Sequence, residues 1–597
     1  MKKLIYIIVL FPLLSVFAQK PVKSIMQEQK EFYDQLIGKS KLDYDSVQLA
    51  LGNRKEITNL RSQVSNTCTL TKKVFGWHPY WIGTAYNNYQ WNLLSDLCYF
   101  DYSINPATGS NTNTAFAWST ASVVTVAKNN GTKIHICATL FSSHASFWAS
   151  TTSQNNFINN IISLLNTRQG NGVNIDFEGM GGSDKVPFTN FITNLNTALN
   201  AANPNYQLSV CLYAVDWGAV FDMPALNSQV DFFTIMGYDY YYSASAQAGP
   251  TAPLYNFQTT YNYTLPKSIS YYMKQGASAN KLVMGLPYYG REWEVSSTTV
   301  PANTTNGFNS SRTLSYINNN PATYSSSVKY WENNCYSPYY KFVVGSSNRQ
   351  CFIDDVYSLG RKYDMVNQRG LAGIGIWALG YDDGMTSYWN LIKDKFSDCA
   401  PLVCNDSIFD MGGPTRNYYD NEKYDFVLNA GVGQKVKLQF VSFGTELNYD
   451  TLWLYNGTST LSPLMGSYTG TNSPGTVTSS GQYLTLRYKT DGNTVSFGYK
   501  AYKSCYTPTV ATNLAENRMN DDVMIWPNPA SDKVFIRSTV TVQEIRLFDA
   551  NGKCIKEQLI EKKDQNEIDL SELSRGIYFL ETKDKLGHRE TKKILIQ

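Results

Sequence analysis

The stretch Asn171 to Glu178, NGVNIDFE, sets Asn174, Asp176 and Glu178 at alternate positions of an apolar run. On an extended strand alternate side chains leave the same face, so an amide and two carboxyls converge on one spot. Like charges held close raise each other's pKa, which keeps one carboxyl protonated beside an ionised neighbour. A carboxylic acid next to a carboxylate is the equipment for breaking glycosidic bonds. The same trio also reads as a solvated or calcium-binding acidic strand end.

Other chemistries find less support. The four histidines, His78, His135, His144 and His588, show no metal-ligand spacing, so no catalytic zinc and no required cofactor are expected. A net charge of +3 over 597 residues, with no Lys/Arg run interleaved with aromatics, argues against a nucleic-acid partner. Residues 1–18 carry Lys2 and Lys3, an apolar core from Leu4 to Phe17 and a small-residue end at Ala18, which is the pattern of a cleavable secretory signal peptide. No later apolar run is long enough to span a membrane, so the mature chain is expected to be secreted or held at a cell surface, without a transmembrane segment. Ten cysteines in an exported chain invite disulfides. Cys335 with Cys351 and Cys404 with Cys505 are the preferred pairs, while Cys98, Cys137 and Cys211 lie in apolar runs that suit buried thiols.

The elements that would position the acids follow from periodicity. Residues 19–70 are charged and helical in period (SIMQEQKEFYDQLIG) and read as a spacer or packing arm without chemistry. From Val74, short β-rich runs alternate with amphipathic stretches, the pattern of strand-helix units around a parallel sheet. The strands are KKVFGW, DLCYFDY, TKIHICATLF, GVNIDFEG, QLSVCLYA, DFFTIMGYDY, KLVMGLPYYG and LAGIGIWAL. Eight units favour an α/β fold of the (β/α)8 TIM barrel type over residues 71–397, and the long gap before the last strand implies an α+β insertion. Catalytic residues gather at the carboxyl ends of such strands. Asp176 and Glu178 close the fourth strand, Tyr238 and Asp239 the sixth, Tyr289 and Arg291 the seventh, and Trp377 the eighth. After Asp398 the strands alternate and are punctuated by turns (KVKLQFVSF, DTLWLYNG, YLTLRYKTDG), which reads as an all-β sandwich over 404–505. A linker over 506–523 leads to a small β-sandwich domain over 524–597.

The strand ends resemble those of glycoside hydrolase family 18, the chitinase family, over about Val74 to Lys395. The family signature DGxDxDxE stands here as Asn171, Gly172, Asn174, Asp176 and Glu178, and MGYDY, GLPYYGREW, FIDDVYSLGRKYD and GIGIWALGYDDG accompany it. The resemblance implies that Glu178 protonates the leaving oxygen and that Asp176 orients the substrate's N-acetyl group. It further implies that the acetamide oxygen, not a side chain, attacks the sugar, with retained configuration. Tyr238 and Asp239 then grip the acetamide and sugar, and Trp377 is the indole platform beneath the ring. Asn174, Tyr289, Arg291 and Trp77 join the substrate-binding set, and Tyr80 and Trp81 could line further subsites. For Trp377 and Tyr289 the competing role is core packing, and for Arg291 a fold-stabilising ion pair.

The departures matter as well. Asn174 replaces an aspartate that in most chitinases shares a proton with the next acid, and an amide cannot take up charge. An altered acid limb of the pH-rate profile is expected. The SxGG pattern usual on the third strand is replaced by ATLFSSH. Residues Cys404 to Cys505 resemble a CUB domain, whose calcium ligands would be Glu446, Asp450 and Asp491. The last block, with WPNP and SRGIYFLE, resembles the C-terminal sorting domain of the type IX secretion system, which implies that machinery as a partner and export through the periplasm. The leading expectation is cleavage of β-1,4-N-acetylglucosamine linkages of chitin. The alternatives are a peptidoglycan N-acetylglucosaminidase, an endo-N-acetylglucosaminidase acting on N-glycans, and a sugar-binding protein without catalysis.

Overall fold

The structure is a computed structural model that describes residues 23–40, 43–55, 68–507, 523–560 and 566–597. The signal peptide at 1–18 and nearly all of the linker at 506–523 lie outside the described residues.

Two helices, α1 (Ile25–Ser40) and α2 (Tyr44–Ala50), precede the first strand. The chain then forms β1 (Lys73–Pro79), β2 (Asp96–Ser103), β3 (Lys133–Leu140), β4 (Gly172–Phe177), β5 (Gln207–Leu212), β6 (Phe232–Met236) and β7 (Leu282–Pro287). An inserted subdomain contributes β8 (Tyr289–Val295), β9 (Thr304–Thr313), β10 (Lys329–Glu332), β11 (Ser337–Val344) and β12 (Ser347–Phe352), before β13 (Gly373–Trp377). The barrel closes in the order β1-β13-β7-β6-β5-β4-β3-β2, all parallel, and the insertion forms a five-stranded sheet in the order β10-β11-β12-β8-β9. All eight runs read as barrel strands take their places in it.

Parallel strands covered by helices are buried on both faces, and β4 is buried at every position. The covering helices Thr151–Arg168 and Lys185–Ala202 bury Phe157, Ile161 and Leu165, and Phe188, Phe191, Leu195 and Leu199, at the three- and four-residue spacings of one helix face. Phe177 stacks on Phe191, with ring centroids 5.6 Å apart. Anchoring Phe177 among the helices leaves its neighbours Asp176 and Glu178 on the barrel side. The Glu178 amide donates to the Leu140 carbonyl at 3.0 Å, so the strand alternation runs on through the glutamate.

Tyr289 and Arg291 correct one expectation. They do not close the seventh strand but lie on β8, which starts two residues after β7 ends and belongs to the inserted sheet. The disulfides correct another. Cys404 and Cys505 are bonded, as are Cys68 and Cys399, whereas Cys335 and Cys351 are buried free thiols. Nearness in sequence misleads there, because Cys335 sits before β11 among Glu332, Lys362 and Asp354, while Cys351 on β12 faces Glu292 and Arg312. Cys98, Cys137 and Cys211 are buried thiols, as read.

Residues 406–506 form two four-stranded antiparallel sheets. They pack on the barrel helix Val356–Gln368, where the Gln368 amide donates to the Phe409 carbonyl at 2.6 Å and to the Tyr499 hydroxyl at 3.1 Å. Residues 507–597 form a separate unit with a three-stranded and a four-stranded sheet around Val534, Ile536, Ile545, Leu547, Leu580 and Ile594. Among the described residues no helix is long and apolar enough to cross a membrane.

Candidate active site

Asn174 lies deepest on β4. Its side-chain oxygen accepts from the Trp77 indole N–H at 3.0 Å, and its amide donates to the Ser209 hydroxyl at 2.9 Å. The Cys211 thiol also approaches that oxygen, at 3.3 Å. The Asn174 side chain is thus tied to its neighbours beneath the acids. Trp77 is fully buried and crosses the barrel interior, edge-on to Trp377 at 6.1 Å between centroids, so it supports the site from within instead of lining a subsite.

Two residues further along, Asp176 is completely buried, and its pKa is pushed up to about 7. Burial is the main cause, the Cys211 thiol pulls the other way, and the Asp101 charge adds a smaller push upward. Glu178 is driven well above the usual carboxyl range by burial first and by the Asp176 charge second. Both Asp176 oxygens, Glu178 Oε1 and the Tyr238 hydroxyl are buried without a hydrogen-bond partner of ordinary geometry. Unpaired buried polar atoms are costly, and four in one place mark a site kept ready for a ligand.

The sixth strand delivers the other side. Gly237 lets the chain turn hard after β6, because a Cβ there would lie 2.6 Å from the Gly285 carbonyl oxygen. Asp239 follows in a left-handed backbone conformation, φ 57°, which Asp tolerates better than most residues. The Tyr289 hydroxyl donates to Asp239 Oδ1 at 2.6 Å. Burial lifts the Asp239 pKa to about 6 against the opposing pull of Arg291 and the Tyr289 hydroxyl. Arg291 is buried against Glu28 of α1, at 2.7 Å, and Asn309, at 3.0 Å. Trp377 ends β13 with its indole fully buried. The ends of β4, β6 and β13 and the start of β8 therefore bring Asp176, Glu178, Tyr238, Asp239, Tyr289, Arg291 and Trp377 to one mouth.

Several residues here escaped sequence reasoning. Asp101 receives hydrogen bonds from Thr139 at 2.6 Å and Asn113 at 2.7 Å, so its charge is fixed within reach of Asp176. Tyr213 clamps the chain around Glu178, donating to the Phe177 carbonyl and accepting from the Met180 amide, both at 3.0 Å. A cavity of about 430 Å³ beside Glu178 is walled by Tyr213, Trp217, Tyr242 and Tyr261, and Trp217 is 73% exposed. An exposed indole next to an acid was the legible signal. The largest omission is α1 and the residue before it, read as a spacer or packing arm without chemistry: Ser24 lies beside Glu178, and Ile25, Glu28 and Gln29 bond to Asp239, Arg291 and Trp377.

The sequence profile of Glycosyl hydrolases family 18 matches residues 77–382, which is 306 of the 597 residues. The chain belongs to glycosyl hydrolases family 18. Residues 404–502 match the CUB domain and residues 524–597 the secretion system C-terminal sorting domain. A relative named as a sporulation-specific glycosylase, YdhD, of Bacillus subtilis (strain 168) is 28% identical over 236 residues, 38% of this chain and 51% of that protein. Chitotriosidase-1 of Mus musculus is 25% identical over 267 residues, 40% of this chain and 56% of that protein. The chain thus spans about half the length of these curated relatives. The solved Group IV chitinase of Ostrinia furnacalis is 20% identical with a TM-score of 0.48, covering 54% of this chain and 99% of that one.

In the CUB domain, Glu446, Asp450 and Asp491 bring one carboxylate oxygen each within 4.8 Å of one another. Glu446 Oε2 is buried without a partner, while Asp450 already accepts from the Asp491 amide at 2.7 Å and from the Tyr418 hydroxyl. Such a set of hard oxygen donors fits calcium.

Proposed function

We propose that this chain is an exported glycoside hydrolase that cleaves β-1,4-linked N-acetylglucosamine polymers, chitin first among them, with retained configuration. The four orphaned atoms of Asp176, Glu178 and Tyr238 carry the reading, because an N-acetylglucosamine unit supplies a partner for each. Glu178, whose carboxyl burial and the neighbouring Asp176 hold well above its usual range, gives its proton to the leaving glycosidic oxygen as that bond breaks. The acetamide oxygen bonds to the anomeric carbon, forming an oxazolinium ion. Asp176 accepts the acetamide N–H and faces the positive charge as it develops, and the Tyr238 hydroxyl donates to the acetamide oxygen. Water then attacks the anomeric carbon, and its proton returns to Glu178. Asp239, oriented by Tyr289, holds the sugar at this subsite, and Trp377 offers its face to the ring and excludes water.

The likeness to a protein described as a sporulation-specific glycosylase favours cell-wall glycan as the second substrate. Glu178→Gln is expected to cut turnover by about 10³-fold while preserving oligosaccharide binding. Product analysis on chitin oligomers and on purified peptidoglycan, run beside that variant, separates the two substrates. Full activity in Glu178→Gln would dismiss the mechanism, and a sensitive assay without products from either polymer would favour the sugar-binding reading. The sorting domain supports export through the type IX machinery. Glu446, Asp450 and Asp491 would hold a calcium ion that orders their loops and has no part in the hydrolysis.

A further inference from the structure

The mouth is occupied by the chain itself. Ser24 lines the same cavity as the Glu178 carboxyl, and the Ile25 amide donates to Asp239 Oδ2 at 2.9 Å. Glu28 pairs with Arg291 and accepts from the Ser243 hydroxyl. The Gln29 side-chain oxygen accepts from the Trp377 indole at 3.0 Å and from the Tyr381 hydroxyl at 2.8 Å. Lys30 lies 3.5 Å from Asp101, and Tyr33 stacks on Trp81, with centroids 5.2 Å apart and planes 13° from parallel. Ile25 and Met26 are completely buried.

These contacts have the chemistry of a ligand. Asp239, Arg291 and Trp377, which would hold a sugar, bond to this segment instead, while Asp176 and Tyr238 keep their buried oxygens unpaired, and the carboxamide of Gln29 presents a carbonyl oxygen as an acetamide would. A peptide has no glycosidic bond, so the occupant is held and not cut. An isolated 16-residue helix of this composition is marginal in water, so docking is what orders it. A second element anchors the segment outside the acids. The Gln48 amide donates to the Trp81 carbonyl at 2.9 Å, Thr313 donates to Asn53 at 3.1 Å, and Asp45 accepts from the Thr84 amide at 2.9 Å. Gly83 makes that last approach feasible, since a Cβ there would lie 2.4 Å from Asp45 Oδ1.

We propose that Ser24 to Tyr33 is a built-in competitive occupant of the sugar cleft, which keeps the enzyme latent until a long polysaccharide displaces the segment or the segment is removed. The proposal rests on the sugar-binding role given to the mouth above. Tethering places the segment at an effective concentration of about millimolar, enough to exclude short oligosaccharides. A polymer that also binds along the open side, by Trp217 and Tyr261, competes better.

The test uses the full chain in three forms: wild type, Glu28→Arg/Gln29→Ala, and Ile25→Pro. Proline is tolerated at the first helical position, so Ile25→Pro keeps the helix start while removing the N–H that reaches Asp239 and the buried Ile25 side chain. Hydrogen exchange over residues 25–33, binding of tri-N-acetylchitotriose by calorimetry and hydrolysis of a fluorogenic chitobioside are measured for each. The expected result is faster exchange in both variants, with chitotriose affinity and kcat/KM each raised about tenfold or more. Faster exchange with unchanged affinity and unchanged hydrolysis would overturn the proposal. So would unchanged exchange in both variants, because docking through these contacts cannot survive their loss unaltered. Tighter sugar binding without hydrolysis in any form would leave latency standing and sink the hydrolase reading instead.

Discussion

Two buried acid pairs in this chain share their electrostatics and differ in their hydrogen bonding. Asp176 and Glu178 lie at the barrel mouth, and Asp410 and Glu422 lie within the CUB domain. Burial and a neighbouring charge raise all four, Asp176 and Glu422 to about 7 each and the other two well above their ordinary range. The pair in the CUB domain is fully served. Asp410 accepts from the Gly412 and Tyr499 amides at 2.8 and 2.6 Å, and Glu422 from the Tyr419 and Met411 amides at 2.8 and 3.3 Å. The pair at the mouth leaves three of its four oxygens without a protein partner. A displaced pKa alone therefore does not distinguish a working acid from a structural one. Unfilled hydrogen-bonding capacity does.

The sharpest separation comes from matched substitutions. Glu178→Gln should lose about 10³-fold in turnover with little change in unfolding midpoint, since an amide of the same shape replaces a buried carboxyl whose Oε1 has no protein partner. Glu422→Gln should keep activity but lose about 1–3 kcal/mol of stability, because its new amide must face a backbone N–H. Denaturant unfolding and initial rates on both proteins decide this, and swapped phenotypes would break the comparison.

A smaller effect is expected from pH. Each pair has a folded-state pKa above its unfolded value, so the native chain binds more protons between the ordinary carboxyl range and about pH 7. Stability from these groups is then highest at the acid end of that window and falls as pH rises through it. Glu422→Gln should make that slope shallower, and an unchanged slope would remove Glu422 from the explanation.

Smallest is the effect of Asn174→Asp. The working form needs Asp176 ionised and Glu178 protonated, so the rate should rise with pH through about 7 as Asp176 loses its proton. A carboxylate at 174 holds that proton longer, moving the acid limb upward by about one pH unit. An identical profile would show that Asn174 is only a spacer.

Much of this was legible in the chain. The eight apolar runs betray a parallel barrel because strands covered on both faces cannot alternate, and the spacing of Asn174, Asp176 and Glu178 survives intact in β4. The assignment of Tyr289 and Arg291 failed because β7 and β8 are separated by Tyr288 alone, with no turn residue to mark the passage from barrel to inserted sheet. The Cys68–Cys399 bond spans 331 positions, and no local pattern announces it. The N-terminal helix shows Ile25, Gln29 and Tyr33 at four-residue steps, which marks one face. What that face meets lies more than 200 residues away at Asp239 and Trp377, a tertiary fact that periodicity cannot carry.

The central claim is that the substrate's own acetamide attacks while Glu178 donates the proton. Proton NMR of the first product released from tetra-N-acetylchitotetraose, with the matching glucose oligomer as comparison, tests it most directly in wild type and in Glu28→Arg/Gln29→Ala. The β-anomer should appear first and the glucose oligomer should remain uncut. An initial α-anomer, or equal cleavage of the oligomer without acetamides, would contradict it.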